Sequence, residues 1–81
     1  MDLAQVLGRL VDSGVTTLVK ADVVRFAEGG AYWTFVISGG LLSPDDVIRV
    51  DAADLTDCVR TGLAHLREVH PRWAWTADLV D

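Results

Sequence analysis

The chain has 81 residues, enough for one domain, and 51% of them are apolar, which excludes a disordered tail. Twelve Asp and Glu against seven Lys and Arg leave a formal net charge of −5, which argues against coating nucleic acid or anionic lipid by bulk electrostatics. The opening Met1-Asp2-Leu3 has neither the basic segment nor the long apolar run of a secretion signal, and the single cysteine, Cys58, cannot bridge internally.

These features predict a single domain over residues 1–81, in a reducing cytoplasm, with no membrane span. A domain of this size buries only about 60% of the surface its unfolded chain exposes, yet the mean hydropathy is +0.30. Some apolar surface is therefore expected to stay outside, covered by a partner or a second copy.

In chain order, Leu3, Val6, Leu7, Leu10 and Val11 recur at helical spacing, which predicts an amphipathic helix over Asp2–Ser13. Asp2 with Gln5 reads as a capping box, and Gly14 as the residue that ends the helix. Gly8 costs about 1 kcal/mol against Ala inside it, as close approach of another backbone would explain. From Val15 to Phe26 the β-branched and aromatic content predicts a strand. Alternation fails around Lys20-Ala21-Asp22, where a bulge or bend is expected.

Glu28-Gly29-Gly30-Ala31 reads as a tight hairpin connection to a second strand, Tyr32–Ser38. There Trp33, Phe35 and Ile37 form the core face, and Tyr32, Thr34, Val36 and Ser38 form a half-polar opposite face. Ser43-Pro44-Asp45-Asp46 reads as a turn, followed by a third strand, Val47–Val50. Asp51 is expected to cap a second helix, Ala52–Val69, whose apolar stripe carries Leu55, Val59, Gly62, Leu63, Leu66 and Val69. Pro71 ends that helix. Trp73 and Trp75 alternate with Ala74, predicting a short terminal strand over Arg72–Thr76, with a packed coil or a helical turn at Thr76–Val80 as the alternative.

The expected fold is thus α+β, a two-layer sandwich of order α-β-β-β-α plus the short terminal strand. Its sheet is antiparallel and both helices lie on one face. This order resembles that of double-stranded-RNA-binding domains. The strand-strand-strand-helix part, ending in Ala52-Ala53-Asp54-Leu55-Thr56-Asp57-Cys58, is similar to HicB-type antitoxin modules. Where the RNA-binding domains carry lysines at the second helix this chain has Asp51, Asp54 and Asp57, so no functional residue is carried over from either family.

Few residues invite catalysis. Cys58 and His65 lie near one stripe of the second helix, but seven residues separate them by about 10.5 Å along the axis, too far for a nucleophile and its base. Cys58 is expected to pack as a small apolar group, with His65 at the border of the core. His65 and His70, five residues apart, diverge on a helix and do not form a zinc pair. The glycine pairs Gly29-Gly30 and Gly39-Gly40 lack the lysine and the helix start of a phosphate loop. No catalytic, metal, cofactor or small-molecule site is assigned.

Two surface features remain. Asp45, Asp46, Asp51, Asp54 and Asp57 form a candidate acidic ridge that could dock on a basic protein or imitate phosphates; the plainer reading is turn chemistry and helix capping. Trp73, Trp75, Arg72, Tyr32 and Val36 form a candidate protein interface, being rich in the residue types of binding hot spots. At least one tryptophan is expected to fill the core instead. The leading expectation is a small acidic, non-catalytic interaction protein of antitoxin, immunity or anti-defence inhibitor type that self-associates. The alternatives are an accessory domain or subunit of an enzyme complex, and nucleic-acid binding through Arg60, Arg67 and Arg72.

Overall fold

The computed structural model describes residues 1–80. The chain is α+β: helix α1 (Leu3–Asp12), strand β1 (Thr16–Ala21), a short helix α2 (Val23–Ala27), strands β2 (Trp33–Ser38) and β3 (Ile48–Ala52), and helix α3 (Leu55–Val69). A single-turn 3-10 element, Pro44–Asp46, precedes β3, and a longer one, Pro71–Asp78, follows α3. The sheet is antiparallel in the order β1-β2-β3, with Leu18 opposite Val36 and Val36 opposite Arg49.

One core lies beneath the sheet. Phe35, Ile37, Ile48 and Val50 meet Val6 and Leu10 of α1 and Val59, Leu63 and Leu66 of α3. α1 packs on β1, α3 packs on β2 and β3, and the terminal 3-10 segment packs on α3. Gly62 is what lets α3 approach so closely. A Cβ there would sit 2.5 Å from Cδ2 of Phe35, whose ring is fully buried.

Four features depart from the sequence expectation. First, the strand expected over Val15–Phe26 ends at Ala21. Asp22 is the N-cap of α2, its carboxylate accepting from the amides of Val24 and Arg25 at 2.9 and 3.2 Å, and a local cap outweighs β propensity once no partner strand continues. The failed alternation at Lys20–Asp22 is therefore the end of a strand and not a bulge.

Second, Glu28–Ala31 is not a two-residue hairpin turn. Gly29 has φ +75°, the Gly30 amide donates to the Arg25 carbonyl at 2.9 Å and the Gly29 amide to that of Phe26 at 3.1 Å, which together make a Schellman stop to α2. Third, β3 runs to Ala52 and α3 begins at Leu55, so Asp51 is a strand residue. The cap is Asp54, which accepts from the Asp57 amide at 2.9 Å.

Fourth, the expected terminal strand is helical. Trp73, Thr76 and Leu79 recur every third residue, the period of a 3-10 turn, and Trp73 and Thr76 are buried while Leu79 is half-buried. His70 Nδ1 accepts from the Arg72 amide at 3.0 Å to start it. Three arginines hold it down. Arg67 donates to Thr76 Oγ1 at 3.2 Å, Arg60 to the Val80 carbonyl at 3.1 Å, and Arg9 lies 5.1 Å from the Trp75 ring centroid.

Candidate interaction surface

The face of the sheet away from the core is built by the alternate residues Thr16, Leu18 and Lys20 of β1, Thr34, Val36 and Ser38 of β2, and Arg49 and Asp51 of β3. α2 is tied to this outer face by one polar network. Arg25 donates through Nη1 to Asp51 at 2.8 Å and through Nη2 to Thr34 Oγ1 at 2.6 Å, while the Thr34 hydroxyl donates to the same Asp51 oxygen. Arg49 approaches the other Asp51 oxygen at 3.5 Å.

The Arg25 hydrogen bond, then that of Thr34, pulls the Asp51 carboxyl down to a pKa of about 2. The hydrogen bond to Asp51 raises Arg25 in turn. Asp22 is lowered as well, chiefly by the Arg25 amide that it caps.

This anchoring turns α2 inside out. Its polar residue, Arg25, faces the protein, and Val23, Val24 and Phe26 face solvent at 77%, 62% and 62% exposure. Surface helices ordinarily do the reverse. Phe26 packs edge-on against Tyr32 at 5.0 Å between centroids, and Tyr32 lies 5.6 Å from Trp33. With exposed Leu18 on the neighbouring strand, the outer face joins an apolar group to charges of both signs, Lys20, Arg25 and Arg49 against Asp22, Glu28 and Asp51.

The residues singled out from sequence fall in different places. Trp73 is 2% exposed and belongs to the core, which removes it from any surface. Trp75 is half-buried under Arg9, and the exposed Arg72 donates through Nε to His70 Nδ1 at 3.3 Å. Trp73 and Trp75 do not share one strand face, because the segment is not a strand. Tyr32 and Val36 are half-buried on the outer face beside α2 and Leu18.

The five aspartates do not form one ridge. Asp45 and Asp46 precede β3, Asp51 lies at its far end inside the arginine network, Asp54 caps α3, and Asp57 stands 3.6 Å from Arg60. Asp45 and Asp46, with Glu68, line a groove of about 490 Å³ between β3 and α3 that also holds Arg49 and His65. With three carboxylates against Arg49, this groove is acidic.

Cys58 and His65, too far apart along α3 to act as nucleophile and base, also stand in different environments. Cys58 is fully buried with Sγ 3.3 Å from the Val50 carbonyl, and burial pushes its thiol pKa up, whereas His65 is exposed. Among the described residues no three His, Cys, Asp or Glu side chains converge as a metal set, and no helix is long and apolar enough to cross a membrane. No protein-family model, curated protein or solved structure matches the chain.

The signal for α2 was present in the sequence. Asp22 followed by Val23-Val24-Arg25-Phe26 and then Gly29 is a cap, one helical turn and a stop. Its β-branched residues masked it, because propensity scores Val and Phe as strand formers wherever they stand.

Proposed function

We propose that the protein is a non-catalytic interaction module that binds another protein through α2 and the outer sheet face, as a small inhibitor of the antitoxin, immunity or anti-defence kind, and that it also self-associates. The observation that carries this reading is the inverted polarity of α2. Three large apolar side chains are held out to water by a buttress of Arg25, Thr34 and Asp51. Holding apolar groups rigidly in solvent favours binding, because the side chains are ordered before the partner arrives.

The mixed charges that border this face suit a partner whose docking surface is apolar with a polar rim. The nucleic-acid alternative loses support, since Arg60 and Arg67 are occupied with the C-terminal segment.

Affinity capture from the native host, comparing the wild type with the Val23→Ser/Phe26→Ser double variant, tests the reading. A protein retained by the wild type and lost by the variant is expected, and its activity should fall when purified wild-type protein is added back. A wild type that retains no protein at native expression levels sinks the proposal. Both positions are exposed, so the variant should lose little beyond the Phe26–Tyr32 contact, and unchanged circular dichroism separates loss of binding from unfolding.

A further inference from the structure

We infer that the second copy in the self-associated state joins edge to edge at β1, extending the sheet across a two-fold axis through Leu18 and packing α1 against its symmetry mate beneath. This rests on the self-association part of the proposed function, and it assigns that association to a surface other than α2.

Both layers of the molecule are open at the same end. β1 pairs only with β2, so along Thr16–Ala21 its other edge has no strand partner. An edge of this kind is normally guarded by charge, proline or a bulge. The opposite edge is guarded: β3 carries Arg49 and Asp51, with Asp45 and Asp46 ahead of it and Asp54 behind. β1, with the sequence TTLVKA, has Lys20 alone within it and Asp22 after it, the carboxylate of which is turned to capping α2.

Beneath it, α1 shows the same incompleteness. Val6 and Leu10 are buried, and Arg9 reaches over to Trp75 in the C-terminal segment. At 100° per residue, Ala4, Leu7 and Val11 fall within about 60° of one another and roughly 160° around from Arg9. That flank therefore points away from α3 and past the β1 edge. Val11 is 57% exposed on it. Gly8 adjoins it, and a Cβ at Gly8 would meet nothing within 4 Å, so no approach within the chain explains a helix-weakening glycine there. A neighbouring helix brought alongside would.

Charge selects a second copy as the occupant. A chain of net charge −5 repels its own kind wherever acidic groups meet, and 12 of its residues are acidic. None lies within β1, which Asp22 follows, and the only one within α1, Asp12, stands one turn beyond Gly8, so that in an antiparallel pair it faces the start of the second α1 and not its own copy.

Charge also selects the register. A two-fold axis that keeps both cores on one side of the extended sheet must pass through a residue, and the middle of β1 offers Leu18 or Val19. Centring on Val19 brings the two lysines within about 7 Å along the strands, which is repulsive. Centring on Leu18 places Lys20 opposite Thr16 of the second copy and separates the lysines by about 14 Å, beyond the ~8 Å Debye length. Leu18 then meets Leu18 on the outer face, and α1 meets α1 on the inner one.

Light scattering and cysteine cross-linking together test this. The purified wild type is expected to show twice the 8.8 kDa of one chain, and Leu18→Lys/Val11→Lys the mass of one chain with unchanged circular dichroism. Under copper phenanthroline, Leu18→Cys is expected to cross-link much faster than Lys20→Cys, because only the former places its thiols face to face. Cys58 is buried and provides the unreactive background. A wild type that stays monomeric at millimolar concentration overturns the inference, as does a dimer in which the two cysteine variants cross-link equally fast. The Val23→Ser/Phe26→Ser variant keeps the dimer mass here, so failure of the α2 binding site and failure of this interface are read separately.

Discussion

At the scale of single residues, Thr34 shows how a polar side chain comes to be buried on a nominally exposed sheet face. It is 1% exposed because Arg25 lies over it, and its hydroxyl is satisfied in both directions, accepting from Arg25 and donating to Asp51. The depressed pKa of Asp51 makes this network a source of acid sensitivity. Its folded value of about 2 lies below the ordinary 3.8. The stabilisation is thus fully present above that ordinary value and is lost as pH falls through about 2. Between those limits the melting temperature of the wild type should fall more steeply with acid than that of Asp51→Asn, and parallel curves for the two would exclude the linkage.

Gly62 makes the opposite point about size. Adding one methyl recovers about 1 kcal/mol of helix propensity but forces the buried Phe35 ring aside at a cost of about 1–3 kcal/mol, so Gly62→Ala should be net destabilising by up to about 2 kcal/mol. The urea midpoint reads this directly.

At the scale of elements, α2 and the terminal 3-10 segment are both held by arginines reaching across the chain, but only the terminal segment also buries a large apolar side chain. In α2 no residue is buried, so the helix depends on its cap, its Schellman stop and Arg25. In the terminal segment the arginines Arg60 and Arg67 hold the backbone and Thr76, while Trp73 supplies the apolar anchor. The two neighbouring tryptophans should therefore differ widely in their contribution. Trp73→Ala is expected to cost about 3–5 kcal/mol as a cavity beneath α3, whereas Trp75→Ala gives up partial burial and a cation–π contact worth about 0.5–1 kcal/mol. Denaturant melts of the two variants check this order, and equal losses would mean that Trp73 does not anchor the segment.

At the scale of the whole molecule, apolar content and chain length set a limit that the fold meets only in part. α1 and α3 close one side of the sheet, yet Val11, Leu18, Val23, Val24, Phe26, Leu41 and Val47 stay exposed. They are not scattered evenly: Val23, Val24 and Phe26 are gathered on α2, and Val11 and Leu18 mark the β1 end. Acidic groups stand at the ends of these elements, Asp22 and Glu28 at α2 and Asp12 at α1, and none lies within α2 or β1.

The amino-acid sequence alone determined the α+β class, the two amphipathic helices, the core face of β2 and the packing of Cys58 as a small apolar group. Each of these follows from local periodicity or from the reach of a side chain along one element. It also carried the cap and stop of α2 and the three-residue repeat of Trp73, Thr76 and Leu79, but both were outweighed by β propensity and by the alternation of Trp73 with Trp75. Only the tertiary structure decided those cases, because whether Val23 extends a strand or starts a helix depends on whether a partner strand is alongside. The dispersal of the five aspartates and the inward turn of Arg25 were decided the same way. Charges close in sequence are parted by a strand, and Arg25 is paired with a carboxylate that becomes its neighbour only once β2 and β3 have joined.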